Sequence, residues 1–372
     1  MGFDFSLYIH YPFCLSKCPY CDFNSHINQN IEIDNWADAY YEALKYHKNK
    51  FPLGKIKTIF FGGGTPSLMP IKLVDDILNK AQALFGFCED IEITLEANPT
   101  SSEAQKFEDF SKAGINRLSM GIQSLNDHDL RKLGRTHSAT EAMQAFEMAR
   151  EIFSRTSFDL IYARENQTLE LWEQELRQAA DLCVGHISLY QLTIEPETRF
   201  ADWYKRGKIS LPTDALSEEM YFLTDEILSE YHYKNYEISN YATANNECRH
   251  NMMYWQYQPY IGIGAGAHGR VPLDDVSYLA TQTHKMPNDW LKEPTIFTNT
   301  EIITKEDYDL EYLLMSLRTL QGCDLARLQT NLIIPEKMQD LLDDGLLVLN
   351  KQQLIATKKG RPILNALIRA LI

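Results

Sequence analysis

Two rhythms of apolar and polar positions alternate along the first half of the chain. Short β-type runs stand at Phe5–His10, Lys57–Phe61, Ile91–Glu96, Arg117–Gly121, Ser157–Tyr162 and His186–Gln191. Between them, apolar residues recur at helical spacing over Asp34–Lys50, Ile71–Phe85, Ser101–Lys112, Thr140–Phe153 and Leu169–Leu182. Six βα units in a row predict a parallel sheet covered by helices. Six are too few to close an eight-stranded barrel. The expected fold is therefore α/β, a partial (βα)6 barrel whose gap leaves room for a large ligand.

The rhythm changes after residue 195. Ala215–Tyr231 reads as a helix and Tyr236–Ile238 as a strand, followed by Cys248-Arg-His-Asn-Met-Met-Tyr-Trp255 and the glycine-rich Gly262–Gly269. From about Glu301 the pattern is helical again. Leu341–Thr357 reads as a helix end, two short strands and a turn, and Pro362–Leu371 as a last helix. Three regions are expected: a barrel over 1–195, an extension of it over 196–300, and a small winged-helix-like α+β domain over 301–372. Winged helices often bind DNA, but residues 301–372 carry nine Lys/Arg against ten Asp/Glu. A packing role suits that balance better.

Charge narrows the function classes. The 372 residues carry 36 Lys+Arg against 51 Asp+Glu, a formal net charge of -15, so the long-range field repels phosphate and no nucleic-acid partner is expected. Hydrophobic residues make up 44% of the chain, ample for a core. No basic-then-apolar leader and no run long enough to span a membrane stands in the sequence. Cys88, Cys183, Cys248 and Cys323 are scattered and read as small buried hydrophobes in a reducing compartment, so a cytoplasmic protein is expected.

The other three cysteines form the informative motif. Cys14, Cys18 and Cys21 follow the first strand with the spacing Cys-x3-Cys-x2-Cys. A four-iron cubane takes four thiolates, and three leave one iron open to a substrate or cofactor. On spacing alone, the alternative is a structural zinc site completed by His10 or His26. Further polar and glycine positions mark the ends of successive strands: Gly62-Gly63-Gly64-Thr65-Pro66, Glu96, Gly121-Ile-Gln123 with Arg135 beyond it, Asp159, and Tyr190-Gln191. Consecutive glycines let a ligand approach the backbone. Polar groups on one rim of a barrel are the layout of a single large pocket.

These motifs together resemble the radical S-adenosylmethionine (SAM) superfamily. Tyr8-x-His-x-Pro-Phe-Cys14, Leu95-Glu-Ala-Asn-Pro99, Ser119-Met-Gly-Ile-Gln-Ser124 and Asp159-Leu-Ile-Tyr162 resemble its oxygen-independent coproporphyrinogen oxidase group. The resemblance implies a [4Fe–4S] cluster on Cys14, Cys18 and Cys21. It implies SAM contacts from Tyr8, Tyr20, Gly63, Gly64, Thr65, Glu96, Gln123, Arg135 and Asp159.

Within that group the chain looks like the HemW-type heme chaperones rather than the oxidases. Phe23 stands where the oxidases carry a further cysteine, the oxidases' N-terminal extension is lacking, and His250-Asn-Met-Met-Tyr-Trp255 is a chaperone motif. The subgroup implies heme as ligand and apo-hemoproteins such as respiratory cytochromes as partners. It is compatible with transient membrane association and with a homodimer. It leaves catalysis open, the alternative being porphyrin biosynthesis by oxidative decarboxylation of coproporphyrinogen III. His250 offers an imidazole for heme iron and Tyr254 and Trp255 flat faces for a macrocycle; on the residues alone, a buried core histidine is the competing reading. His268 is a second candidate ligand. One departure from the family pattern is Glu165-Asn166 in place of Pro-Gly, which is expected to keep the turn through Asn166 and to place a charge near the pocket rim.

Overall fold

The computed structural model describes residues 2–28, 31–274 and 277–372. All six βα strands form: β1 (Phe3–Tyr11), β2 (Leu53–Gly63), β3 (Phe87–Ala97), β4 (Arg117–Gln123), β5 (Arg155–Tyr162) and β6 (His186–Gln191). They pair in parallel in chain order. From Phe5 to Tyr11 only Tyr8 keeps appreciable exposed surface, because helices cover one face of the sheet and the site covers the other.

The sheet continues past both ends of this set. Tyr260–Ile263 pairs in parallel with β1, and His268–Pro272, Tyr278–Thr283 and Phe297–Ile302 add antiparallel strands beyond it. Asn240–Ala242 and then Lys234–Asn235 extend the β6 side. The result is an open mixed sheet whose outermost strands do not pair with each other.

Helix starts are set by local chemistry. Ser138 and Glu141 form a capping box at Ala139–Ile152, and Thr168, Thr213 and Thr304 cap Leu169–Leu182, Asp214–Glu230 and Lys305–Ser316 through their hydroxyls. The helix expected over Ser101–Lys112 is instead two, Ser101–Ala104 and Phe107–Lys112, separated by a tight turn in which Lys106 N donates to Glu103 O at 3.0 Å. The strand expected at Tyr236–Ile238 is a turn. Glu237, 1% exposed, bends its carboxylate back to accept from Ile238 N at 2.7 Å and Ser239 N at 3.1 Å, which displaces the strand pairing to either side. Cys183, Cys248 and Cys323 are buried as expected, but Cys88 is only partly so.

The last seventy residues build their own apolar cluster, in which Leu313, Leu317, Leu354 and Leu371 are fully buried. Helices Lys305–Ser316, Pro335–Asp343 and Leu364–Leu371 surround a three-stranded sheet of Cys323–Asp324, Gln353–Ala356 and Leu347–Asn350. Among the described residues no helix is long and apolar enough to cross a membrane.

One buried charge ties the extension to the barrel. Glu92 on β3 is 0% exposed; it pairs with Arg155 and accepts from Arg249 N at 3.2 Å and His250 N at 2.9 Å. Burial pushes its carboxyl up, but Arg117, Arg155 and the two backbone donors outweigh this and hold it below the usual carboxylate range. Removing one partner of such a set leaves an uncompensated buried charge, so Glu92→Ala is expected to lower the unfolding free energy by about 3–5 kcal/mol. Denaturant titration measures this, and a loss under about 1 kcal/mol would show that Glu92 does not anchor the extension.

Candidate functional site

The cysteine loop leaves the carboxyl end of β1 and is seated by backbone on both sides. On one side, Gly64 N donates to Tyr11 O at 2.7 Å and Thr65 N to Phe13 O at 2.8 Å. A Cβ on Gly64 would lie 2.6 Å from Phe13 O. On the other side Gly264, at φ +103°, comes so close to β1 that a Cβ would stand 2.2 Å from His10 O. Asn24 completes the clamp: its Nδ2 donates to Ala265 O and Lys285 O, both at 2.9 Å, and its carbonyl accepts from His10 Nε2 at 2.8 Å. That bond fixes the His10 tautomer, leaving Nδ1 to accept from Tyr8 OH at 3.1 Å.

The loop opens onto a cavity of about 500 Å3, within the range of small-molecule sites. Every residue expected to hold the cluster or SAM lines it except Tyr8, and neither candidate heme ligand, His250 or His268, does. Arg135 crosses one wall, donating from Nη1 to Cys18 Sγ at 3.6 Å and from Nη2 to Asn98 Oδ1 at 2.6 Å and Gly121 O at 2.7 Å. Thr65 Oγ1 donates to Cys14 Sγ at 3.3 Å. Gln123 ends β4 at φ +76°, a conformation that side chains rarely adopt and that concentrates at functional sites. Asn98, which also donates to Thr65 Oγ1 at 3.3 Å, was missed as a site residue although it stands in the Leu95–Pro99 motif. Ser119 was missed although it opens the Ser119–Ser124 motif, and Glu103 and Thr193 were missed with no motif to mark them.

Two carboxylates face each other across this space. Burial, and then the charge of Asp159, push the Glu96 carboxyl up to about 8. Burial pushes Asp159 up to about 6 against the pull of Ser188 and Arg117. Asp159 Oδ1 is sealed from solvent with no hydrogen-bond partner. A buried acceptor without a donor, beside a second reluctant carboxylate, suits a ligand that brings positive charge and N–H or O–H groups. SAM brings both, as an amine, a sulfonium and a ribose. For a metal, no group of three or more His, Cys, Asp or Glu among the described residues is gathered closely enough to hold a single ion. Cys14, Cys18 and Cys21 all line this cavity.

His250 sits elsewhere, on a helix over Arg249–Trp255 that the apolar pattern did not reveal, and it is 1% exposed. Thr58 donates its hydrogen to Ser6 Oγ at 2.7 Å, so His250 Nδ1–H donates to Thr58 at 2.8 Å and Nε2 accepts from Tyr254 OH at 2.7 Å. Burial pushes its pKa down to about 3, which keeps the ring neutral. Both ring nitrogens are thus hydrogen-bonded in this conformation, as those of a core histidine are. His268 is exposed at the start of His268–Pro272. Glu165 also differs from expectation: it lines a separate cavity of about 200 Å3, paired with Lys132 at 2.9 Å and accepting from Ser210 N at 3.2 Å. Asn166 does take the left-handed turn, at φ +59°.

Comparison with known proteins agrees with this geometry. The profile of the radical SAM superfamily matches residues 8–179. Over 98% of its length the chain is 36% identical to "Heme chaperone HemW" of Haemophilus influenzae, covering 96% of that protein. It is 34% identical to the mouse mitochondrial "Radical S-adenosyl methionine domain-containing protein 1", over 99% of this chain and 87% of that one. The structure of Escherichia coli coproporphyrinogen III oxidase, a radical SAM enzyme, superposes with a TM-score of 0.81 at 20% identity, covering 100% of this chain and 90% of that one.

Two outcomes test the site. Gly264→Ala forces a Cβ against the His10 carbonyl at an unfavourable φ, and should lower stability by about 2 kcal/mol or more and reduce iron uptake on reconstitution; unchanged stability and iron content would remove the clamp. The second concerns pH. The Glu96 pKa is raised on folding from 4.5 to about 8, so between those values the folded protein binds more protons than the unfolded chain, and stability falls as pH rises. In thermal unfolding of the ligand-free protein, Glu96→Gln should flatten that fall. Parallel profiles for the two proteins would contradict the raised pKa.

Proposed function

The chain belongs to the HemW-type heme chaperone family of the radical SAM superfamily, and from that premise we propose that it binds heme and delivers it to apo-hemoproteins. A [4Fe–4S] cluster and SAM would occupy the cysteine cavity. The observation that carries this reading is near-full-length similarity to named heme chaperones, joined to a three-thiol cavity in which Asp159 Oδ1 has no donor.

Cys14, Cys18 and Cys21 would hold the cluster. When bound, it and SAM supply an open iron site and one-electron chemistry. The protein's own residues have definable tasks. Gly63 and Gly64 allow close backbone approach, Gln123 and Thr65 offer polar groups, and Arg135 braces Cys18 against β4. Glu96 and Asp159 would hold the cationic part of SAM, and a cation there would favour the ionised form of Glu96. Tyr20 packs edge-on to Phe200 at 6.1 Å between ring centres on the cavity wall. Tyr8 acts from behind, through His10 and Asn24.

For heme, Met252 and Trp255 keep part of their surface exposed while His250 and Met253 are buried. The macrocycle would dock against the Met252–Trp255 side of the helix, with His250 stiffening that helix from beneath. The competing reading, an oxidase, is favoured by the shared fold alone. Against it, Phe23, 58% exposed on the cavity wall, stands where the oxidases carry a further cysteine.

An anaerobic turnover assay separates the two. Reconstituted protein given SAM, reductant and coproporphyrinogen III should form no protoporphyrinogen while an authentic oxidase run beside it does, and the same preparation should bind hemin. Product at the oxidase's rate, or no hemin binding, would overturn the chaperone reading.

A further inference from the structure

A second polar cavity, of about 190 Å3, lies where the Arg249–Trp255 helix meets the C-terminal module. Trp255, Gln256 and Gln258 line it from one side and Tyr312, Asp324 and Arg327 from the other. Two of these groups lack the partners their chemistry calls for. Trp255 Nε1 is sealed from solvent and donates to nothing. Arg327 is half-buried, 4.1 Å over the Tyr312 ring, and donates to Gln256 O at 3.0 Å and Tyr308 OH at 3.1 Å. Among the described residues it has no carboxylate partner, although a guanidinium carries five N–H donors in a fork shaped for one. Arg270 next door shows the usual solution, a pair of 2.8 Å bonds to Glu311.

We propose that this cavity is a carboxylate-binding site in which the Arg327 guanidinium holds one carboxylate arm. On the heme reading, on which the identity of the ligand rests, that arm is a heme propionate. Size sets the class: the space is several times a water's share of volume yet too small for a tetrapyrrole. The ring would stay outside, on the Met252–Trp255 side of the helix, and only an arm would enter. Charge sets it further. Asp324 also lines the cavity, its Oδ1 accepting from Ala326 N at 3.0 Å. With one carboxylate already in the lining, the site repels a phosphate dianion more than a monoanion, so the attraction must come from the Arg327 fork and not from net charge. The site also gives the C-terminal module a task, since Arg327 is its contribution to a ligand held on the barrel extension.

Hemin and hemin dimethyl ester, in which both propionates are masked, test this when titrated into the full-length protein and R327Q in the same dilute detergent. The Soret band is the readout. Glutarate is titrated in parallel, followed by tryptophan fluorescence. The wild type should prefer the diacid by roughly tenfold or more, the usual worth of a charge-assisted hydrogen bond. R327Q should bind both forms alike and lose the glutarate response. The preference is a ratio within one protein, so it does not depend on how much of a variant folds. If R327Q keeps the wild-type preference, the assignment of a propionate to Arg327 is wrong. If the wild type binds neither hemin form, the heme reading fails, and glutarate then decides the site by itself. A saturable, Arg327-dependent response keeps a carboxylate site for a free acid, and no response removes it.

Discussion

The site depends on backbone meeting backbone with no side chain between. The cysteine loop can bend back over the barrel rim only because Gly64 lies against Phe13 on one side while Gly264 lies against His10 on the other. Each contact leaves less room than a single methyl group needs. The consequence reaches far along the chain. Gly264 belongs to a turn more than two hundred residues after Cys14, so the loop that would hold the cluster is complete only when Tyr260–Ile263 has paired with β1. The extension is therefore part of the site's foundation. The sheet's twelve-strand order expresses the same fact, because β1 is an interior strand held from both sides.

Within that frame the electrostatics divide into two kinds. Glu92 is a charge the fold has fully paired, and it fixes the helix that carries His250. Among the described residues, Glu96 and Asp159 are buried without a paired cation, and burial, with the Asp159 charge beside Glu96, pushes their carboxyls up. The first kind holds structure and the second awaits a ligand. Trp255 and Arg327 repeat the second pattern at the far end of the same helix, with donors in place of acceptors. One seven-residue helix is thus braced at its start by Glu92 and borders the second cavity at its end through Trp255.

The strand–helix alternation made the barrel readable in advance, because buried parallel strands and covering helices impose different periods on their residues. The cavity was readable for a related reason: a barrel gathers strand ends on one rim, so Glu96, Gln123 and Asp159 could be placed together without coordinates. What did not show was local competition. Glu237 reads like a strand residue, yet its carboxylate captures the next two amides and makes a turn. Arg249–Trp255 is too short to display a helical period. An imidazole carries the same letter whether free or bonded; only Thr58 and Tyr254, distant in sequence in one case and four residues away in the other, show that both His250 nitrogens are hydrogen-bonded. Asn98 was concealed within a motif read for its glutamate.

The central claim is that this chain hands heme on. The most direct measurement loads the protein with heme, mixes it with rising concentrations of the apo form of a b-type cytochrome, and follows the rate at which the cytochrome spectrum appears. A chaperone passes heme within a complex, so the rate should rise with acceptor concentration and exceed the protein's spontaneous heme loss, measured with a non-physiological heme scavenger. A rate that equals spontaneous loss at every acceptor concentration would show that the protein only binds heme and releases it, and would contradict the account.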